Sequence, residues 1–397
     1  MNKQITLRPI QLLSRTLLIA ALLFQLPCQA VTYSVLHSFS GADGARPRGS
    51  LVMDKFGNLY GTTVLGGQYS KGTIFKLTGT TLTTVHHFAD TAASDGSVPT
   101  GALVADNLGN LYGTTEGGGP KSFGTVFRWD IEKGLTTLYR FTGLDGEFPH
   151  GLTRDAAGNL YGATQYGGAT QNFPLNVGYG VIYRISPSGK FTRLHSFNGT
   201  NGASCNAPLL RVGNQLYGTT VTGGAAAGNV FKISDTGTGF TVVQNSGGAE
   251  GYNFSSGLTR DPRNQDLYGT VYRGTATGAG GIYRVSPAGV YTLRRSFSGP
   301  DGAYPNSTLV ADRLGNFYGM TQGNDAGCTN AAGLGGYGNI FKYDANFNLL
   351  TNLHTFNGAD GANPCNGELF RDPSGSLYGV TEYGGAFGLG VIFKVEP

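Results

Sequence analysis

Apolar and polar positions along this chain fall into short runs of four to seven residues, closed again and again by glycine or an Asp-Gly pair. That punctuation favours strands over helices. The first full cycle predicts four strands: a over Ser50 to Met53, b over Asn58 to Thr63, c over Gly72 to Leu77 and d over Leu82 to Phe88. Between a and b, Asp54-Lys55-Phe56-Gly57 predicts a tight hairpin, with glycine where a positive φ is wanted.

The cycle recurs. LYGTT and its variants place tyrosine at Tyr60, Tyr112, Tyr161, Tyr217, Tyr268, Tyr318 and Tyr378, seven copies spaced 49 to 60 residues apart. Such a period belongs to propeller blades. The expected blades cover 50–88, 101–141, 151–197, 207–244, 257–297, 307–356 and 367–395. The phase of the repeat then decides how the ring closes. Tyr33 to Phe39 reads as a strand d without a blade, and Gly390 to Pro397 ends a blade at strand c. Pairing them gives an all-β, seven-bladed β-propeller with 3+1 closure, which removes two strand edges that would otherwise template aggregation. An open solenoid would need polar capping repeats, and the sequence has none. Blade four is the weakest copy. It lacks the hairpin Asp, and its strand d, Thr241 to Gln244, lacks the HSF ending, so it is expected to open first.

Composition agrees with a turn-dense β protein. Charged residues are 13% and glycines number 66 of 397, against about 25% and about 7% in ordinary soluble chains. The net charge is only +4 and no Lys/Arg run exists, so a nucleic-acid partner is not expected. Residues 1–30 read as a signal peptide: Lys3, Arg8 and Arg15, then an apolar stretch from Thr16 to Pro27, then Cys28-Gln29-Ala30 with cleavage near Ala30. The apolar stretch is too short to span a bilayer, which takes about 20 residues. A secreted chain without a membrane span, monomeric in solution, is the expectation. The three cysteines beyond it allow one bridge. Cys328 with Cys365 is expected, because both fall in mouth-side loops of adjacent blades, with Cys205 free.

The repeated phrases LYGTT-x-x-GG, G[TV][IV]FK and LHSF-x-G-x-DG resemble the GloVer tandem-repeat family of secreted bacterial proteins. The D-x-x-G-N-L-Y core is also similar to NHL-type propeller repeats. The resemblance implies the propeller fold and export, and it implies no particular chemistry.

Comparing the seven copies separates scaffold from site. A basic residue recurs on strand c: Lys76, Arg128, Arg184, Lys232, Arg284, Lys342 and Lys394. Ion pairs with the Asp ending strand a (Asp54, Asp106, Asp155, Asp261, Asp312, Asp372) are expected. His37, His86, His195 and His354 share one place on strand d and read as structural. Two rings at the mouth differ from blade to blade. The entry to strand a carries Arg48, Thr100, His150, Asn206, Ser255, Asn306 and Asn366. The end of strand b carries Val64, Glu116, Gln165, Val221, Tyr272, Gln322 and Glu382, with Tyr166, Arg273 and Tyr383 beside it. Carboxylates, amides, Tyr and one His around a hollow suit sugar recognition, polar groups on hydroxyls and ring faces on carbons. A solvated loop face with no ligand is the alternative.

No nucleophile or phosphate-loop motif appears, and isolated Asp-Gly turns do not supply the six to eight oxygens of a calcium site. Neither metal nor cofactor is implied. A non-catalytic binding or scaffolding propeller, with a glycan or an extracellular protein as partner, is the first expectation. The second is a carbohydrate-active enzyme. A hydrolase would pair Glu116 with Glu382; a polysaccharide lyase would use His150 with Tyr166.

Overall fold

A computed structural model describes residues 31–397, except 91–94, 169–170, 173–176, 225–226, 248–250, 324–335, 347 and 365–366. Cys328 and Cys365, the expected bridge, and Asn366 of the entry ring lie outside the described residues. Cys205 is free and buried, and burial pushes its thiol up to about 12.

Seven four-stranded antiparallel sheets form a seven-bladed β-propeller. Blade 1 runs through Ala45–Met53, Leu59–Leu65, Thr73–Thr78 and Thr81–His87 as strands a to d. Blade 7 takes Phe370–Arg371, Leu377–Thr381 and Val391–Glu396 from the end of the chain, and Thr32–Ser38 from its beginning. Blade 3 carries an extra short hairpin, Gln171–Asn172 with Val177–Gly178, between its strands b and c.

The closing strand has the same irregularity as its counterparts. In the other six blades the c–d ladder slips at one position, as between Ile74 and Phe75. Thr32–Ser38 slips against Val391–Glu396 at the matching place, between Val35 and His37. The bulge bends strand d so that the residues after it turn inward over the next blade.

What turns inward is a phenylalanine. Phe39, Phe88, Phe141, Phe197, Phe297 and Phe356 each end a strand d and pack edge-on against the strand-c aromatic of the following blade, with ring centroids 5.2–5.5 Å apart. Blade 4 has Ser246 at this place. There Phe254, eight residues on in the following loop, packs on Tyr283 at 5.1 Å and is fully buried. The blade that read as weakest therefore has its inter-blade plug supplied from outside the repeat register.

The glycine of LYGTT follows from the same packing. A Cβ on Gly61 would lie 2.5 Å from Phe75 Cζ, and the other six copies, Gly113, Gly162, Gly218, Gly269, Gly319 and Gly379, would meet their own strand-c ring at 2.4–2.6 Å. Only a residue without a side chain lets that ring lie across strand b.

The tyrosine of LYGTT caps the a–b hairpin. Asp54 Oδ1 accepts from the backbone of Phe56 and Asn58, while Oδ2 accepts from Asn58 Nδ2 and the Tyr60 hydroxyl. The same set recurs at Asp106 and Asp312, and at Asp155 without the bond from the backbone two residues on; at Asp372 the Ser376 backbone and the Tyr378 hydroxyl are kept and Ser374 Oγ is the side-chain donor. Burial works against the charge of these carboxylates, yet the donors hold them below the ordinary aspartate value. The strand-c cations are not their partners, contrary to the sequence expectation: Lys76 and Lys394 lie over the rings of Tyr60 and Tyr378 instead. An Asn four residues on, inside the same hairpin, reaches the carboxylate at less entropic cost than a long side chain two strands away.

The strand-d histidines are structural in the way expected. His37, His86 and His354 bond through Nε2 to Asp43, Asp95 and Asp360 of the next turn, at 2.7–3.0 Å. His195 takes Asn201 instead, at 3.1 Å.

Candidate functional site

Strand a of each blade enters at one rim of the ring and reaches its hairpin at the other. The entry positions therefore meet around the axis. All six described members of the entry ring, Arg48, Thr100, His150, Asn206, Ser255 and Asn306, line one cavity of about 320 Å³. From the strand-b ring, Glu116, Val221 and Tyr272 join them. Gln165, Tyr166, Arg273, Gln322, Glu382 and Tyr383 stand outside the lining and brace it. Glu382 is 1% exposed and accepts from Arg48 Nη2 at 2.8 Å, a link between blades 1 and 7 across the closure. The Tyr272 hydroxyl donates to Gln322 Oε1 at 3.0 Å. Gln165 Nε2 donates to the Tyr166 hydroxyl at 3.2 Å, and Arg273 lies over the rings of Tyr272 and Tyr304. Arg46 lies over Tyr383.

Two of the pairs weighed for catalysis are thereby separated. Glu382 is committed to Arg48 behind the wall, so it does not face Glu116 across the cavity. Tyr166 is occupied with Gln165 and with Phe148, and only His150 of the lyase pair lines the cavity. His150 Nε2 lies 3.8 Å from Glu116 Oε1. Burial lowers the His150 pKa and Arg48 adds to that; Glu116 and Gln165 oppose it.

A third carboxylate lines the cavity, one that sequence reasoning missed. Glu368 lies two residues past the entry position of blade 7. Burial raises its pKa against a hydrogen bond with Thr308. The sequence did hold a signal for it. Two residues past the entry, the copies read Ser50, Ala102, Leu152, Pro208, Gly257, Thr308 and Glu368, as varied as the two rings that were singled out. A narrow recess of about 30 Å³, lined by Asn206, Ser255, Asn306, Thr308 and Glu368 among others, continues the cavity.

The lining holds polar atoms that the protein does not satisfy. Thr100 Oγ1, His150 Nε2, Asn206 Oδ1 and Ser255 Oγ are buried and have no hydrogen-bond partner. Buried polar groups nearly always find one, so these are directed at whatever fills the hollow, water or ligand. Among the described residues, no three His, Cys, Asp or Glu side chains converge in a way that could hold a metal ion.

The repeat itself decides the ancestry: the model of the Gloeobacter/Verrucomicrobia repeat matches residues 19–226 and 175–328. The chain belongs to that family. Within this chain, the hairpin caps and strand-c rings recur from copy to copy and the cavity lining differs between copies. No curated protein matches it. Among solved structures, an oligogalacturonate lyase from Vibrio parahaemolyticus is similar in fold (TM-score 0.59, 9% identity, 92% of this chain and 97% of that one). So is an oligogalacturonate lyase in complex with manganese (TM-score 0.57, 10% identity, 92% and 96%). The extracellular domain of BT4673, a one-component system candidate of B. thetaiotaomicron, is a third (TM-score 0.58, 13% identity, 92% of this chain and 40% of that one). At these identities the likeness is one of fold. No helix among the described residues is long and apolar enough to cross a membrane.

Proposed function

We propose that this propeller is an exported, non-catalytic binding module whose mouth cavity takes the end of a hydroxyl-rich ligand, a glycan. One observation carries the reading: four buried polar atoms, from Thr100, His150, Asn206 and Ser255, face one hollow without a protein partner. Sugar hydroxyls both donate and accept, and so can complete a ring of mixed donors and acceptors drawn from different blades. The cavity volume sits at the lower end of the range for ligand pockets, which suits a terminal unit more than the middle of a polymer. Export is supported by the leader-like composition of residues 1–30.

The test is a glycan panel against the exported protein and two variants, Asn206→Ala and Ser255→Ala. Binding weakened tenfold or more in either, with folding unchanged, supports the reading. Tyr166→Ala and Tyr383→Ala, whose rings stand outside the lining, should matter less. A panel that binds nothing, or binds equally well to both lining variants, sinks it.

A second reading has its own observation. Glu116 and Glu368 line the same cavity, and burial favours the protonated form of Glu368. A glycoside hydrolase needs two carboxyl groups at one site, one of them a general acid that keeps its proton. Release of reducing ends from any panel member, lost in Glu368→Gln while binding persists, would favour it over the first.

A further inference from the structure

We infer that the mouth cavity selects by charge, taking an amine-bearing sugar at Glu116 and rejecting uronates. The inference rests on the glycan reading above and adds the charge of the ligand. The groups that face the hollow are Arg48, Glu116, His150, Tyr272 and Glu368, with Glu382 behind Arg48. Arg48 is the lining's only Lys or Arg among the described residues, and its guanidinium bonds to Glu382, so that pair carries no net charge. His150 is buried and favours its neutral form. Glu116 keeps 29% of its side chain exposed, and among the described residues its one titratable partner within 4 Å is that imidazole. Even with Glu368 protonated, one carboxylate in the hollow is left without a counter-charge.

The hollow is also a built site. Thr100, only 7% exposed, presents an Oγ1 that no protein atom satisfies. A uronate would bring a second anion to a cavity with no cation to spare, and like charges at close quarters repel. A neutral sugar would cover Glu116 and leave it unpaired. A protonated amine supplies both the counter-charge and the donors. The net charge of +4 includes Lys3, Arg8 and Arg15 of the leader-like residues 1–30, so the exported part is close to neutral, exerts little general attraction on a polycation, and any preference must be local.

The experiment titrates the exported protein with three matched tetramers: deacetylated chitosan, its fully N-acetylated form and galacturonate, at a pH where the amine is protonated. The deacetylated tetramer is expected to bind at least tenfold tighter than the acetylated one. Glu116→Gln is expected to erase that advantage, so that the deacetylated tetramer binds no tighter than the acetylated one. Equal affinity for the acetylated and deacetylated forms overturns the charge inference and leaves the glycan reading standing. So does galacturonate binding as tightly as the amine. If none of the three binds, nor any member of the wider panel, the glycan reading falls and takes this inference with it.

Discussion

The two rims of the ring follow opposite rules. At the hairpin rim five blades repeat one set, an Asp that receives a tyrosine hydroxyl and the backbone N–H of the residue four positions on, with a side-chain donor from that residue in four blades and from Ser374 in blade 7. Its hydrogen bonds are satisfied within a few residues of sequence. At the mouth rim the seven entry positions carry five residue types, and four of their buried polar atoms are left unsatisfied. A residue repeated around a ring solves a problem that every blade has. A residue that occurs once, on a wall that is otherwise shared, is free of that problem. The stability of this protein should therefore reside in the repeated positions, and binding in the varied ones.

The strongest attempt to break that division is at Phe254, which is essential packing yet lies outside the repeat. Phe254→Ala empties the contact with Tyr283 at the interface of blades 4 and 5 and should cost about 3–5 kcal/mol, read as a lowered urea midpoint. Ser246→Phe alone should also destabilise, because the space is taken. The double variant, with the ring moved to the place the other copies use, should recover part of both losses. If the two substitutions simply add, Ser246 and Phe254 do not share one pocket, and blade 4 is held by something else.

This residue marks where the sequence stopped being legible. The blade count, the strand order and the closure could be read because each blade restates them, and a strand d at the wrong end of the chain fits only one vacancy. Phe254 could not be read, since it does the repeat's job from eight residues out of register. The hairpin Asp was assigned the wrong partner for a related reason. Recurrence shows that two groups are both needed, and it does not show that they touch. At the mouth, variability found the entry ring, all of whose described members share one cavity. It also placed Glu382 and Tyr166 in the site, where they serve as braces. Alternation along a strand decides which side of the wall a residue faces, but Tyr166 is the last residue of its strand and Glu382 the first beyond one, where that rule gives out.

A smaller effect of opposite sign sharpens the comparison. Blades 3 and 5 carry Tyr183 and Tyr283 where the other five have Phe, and both hydroxyls are buried with no partner. Tyr183→Phe should raise stability by about 1–2 kcal/mol, since an unmet buried hydroxyl costs about that much. Thermal melting would show it. A loss of stability would mean the hydroxyl is satisfied by an ordered water that the blade needs.

The strand-d histidines give a pH-dependent version of the same test. His195 pairs with the neutral Asn201, and burial pulls its pKa from 6.5 to about 4. Above pH 6.5 neither the folded nor the unfolded chain holds that proton. Between 6.5 and about 4 the unfolded chain binds it and the folded chain does not, so stability falls as the pH falls; below 4 the effect levels off. The ring is partly exposed, and solvent screening limits the loss to about 1 kcal/mol. Urea midpoints from pH 7 to 4 should drop further in the wild type than in His195→Gln. Asn201→Asp, which gives His195 the partner that His37, His86 and His354 already have, should flatten the profile. An unchanged profile in both variants would mean that this imidazole does not set the slope.

The smallest effect on stability is expected where the effect on binding is largest. Removing Ser255 Oγ takes away a buried polar atom that has no partner in the protein, so Ser255→Ala should change the unfolding free energy by less than about 0.5 kcal/mol in either direction. Asn206→Ala should behave alike. The comparison fails if either variant unfolds readily, because the mouth would then be part of the frame, and its diversity would record seven local packing solutions. It holds if both variants melt with the wild type and lose their ligand. A wall whose residues can be removed without weakening the ring is one whose composition something other than folding has set.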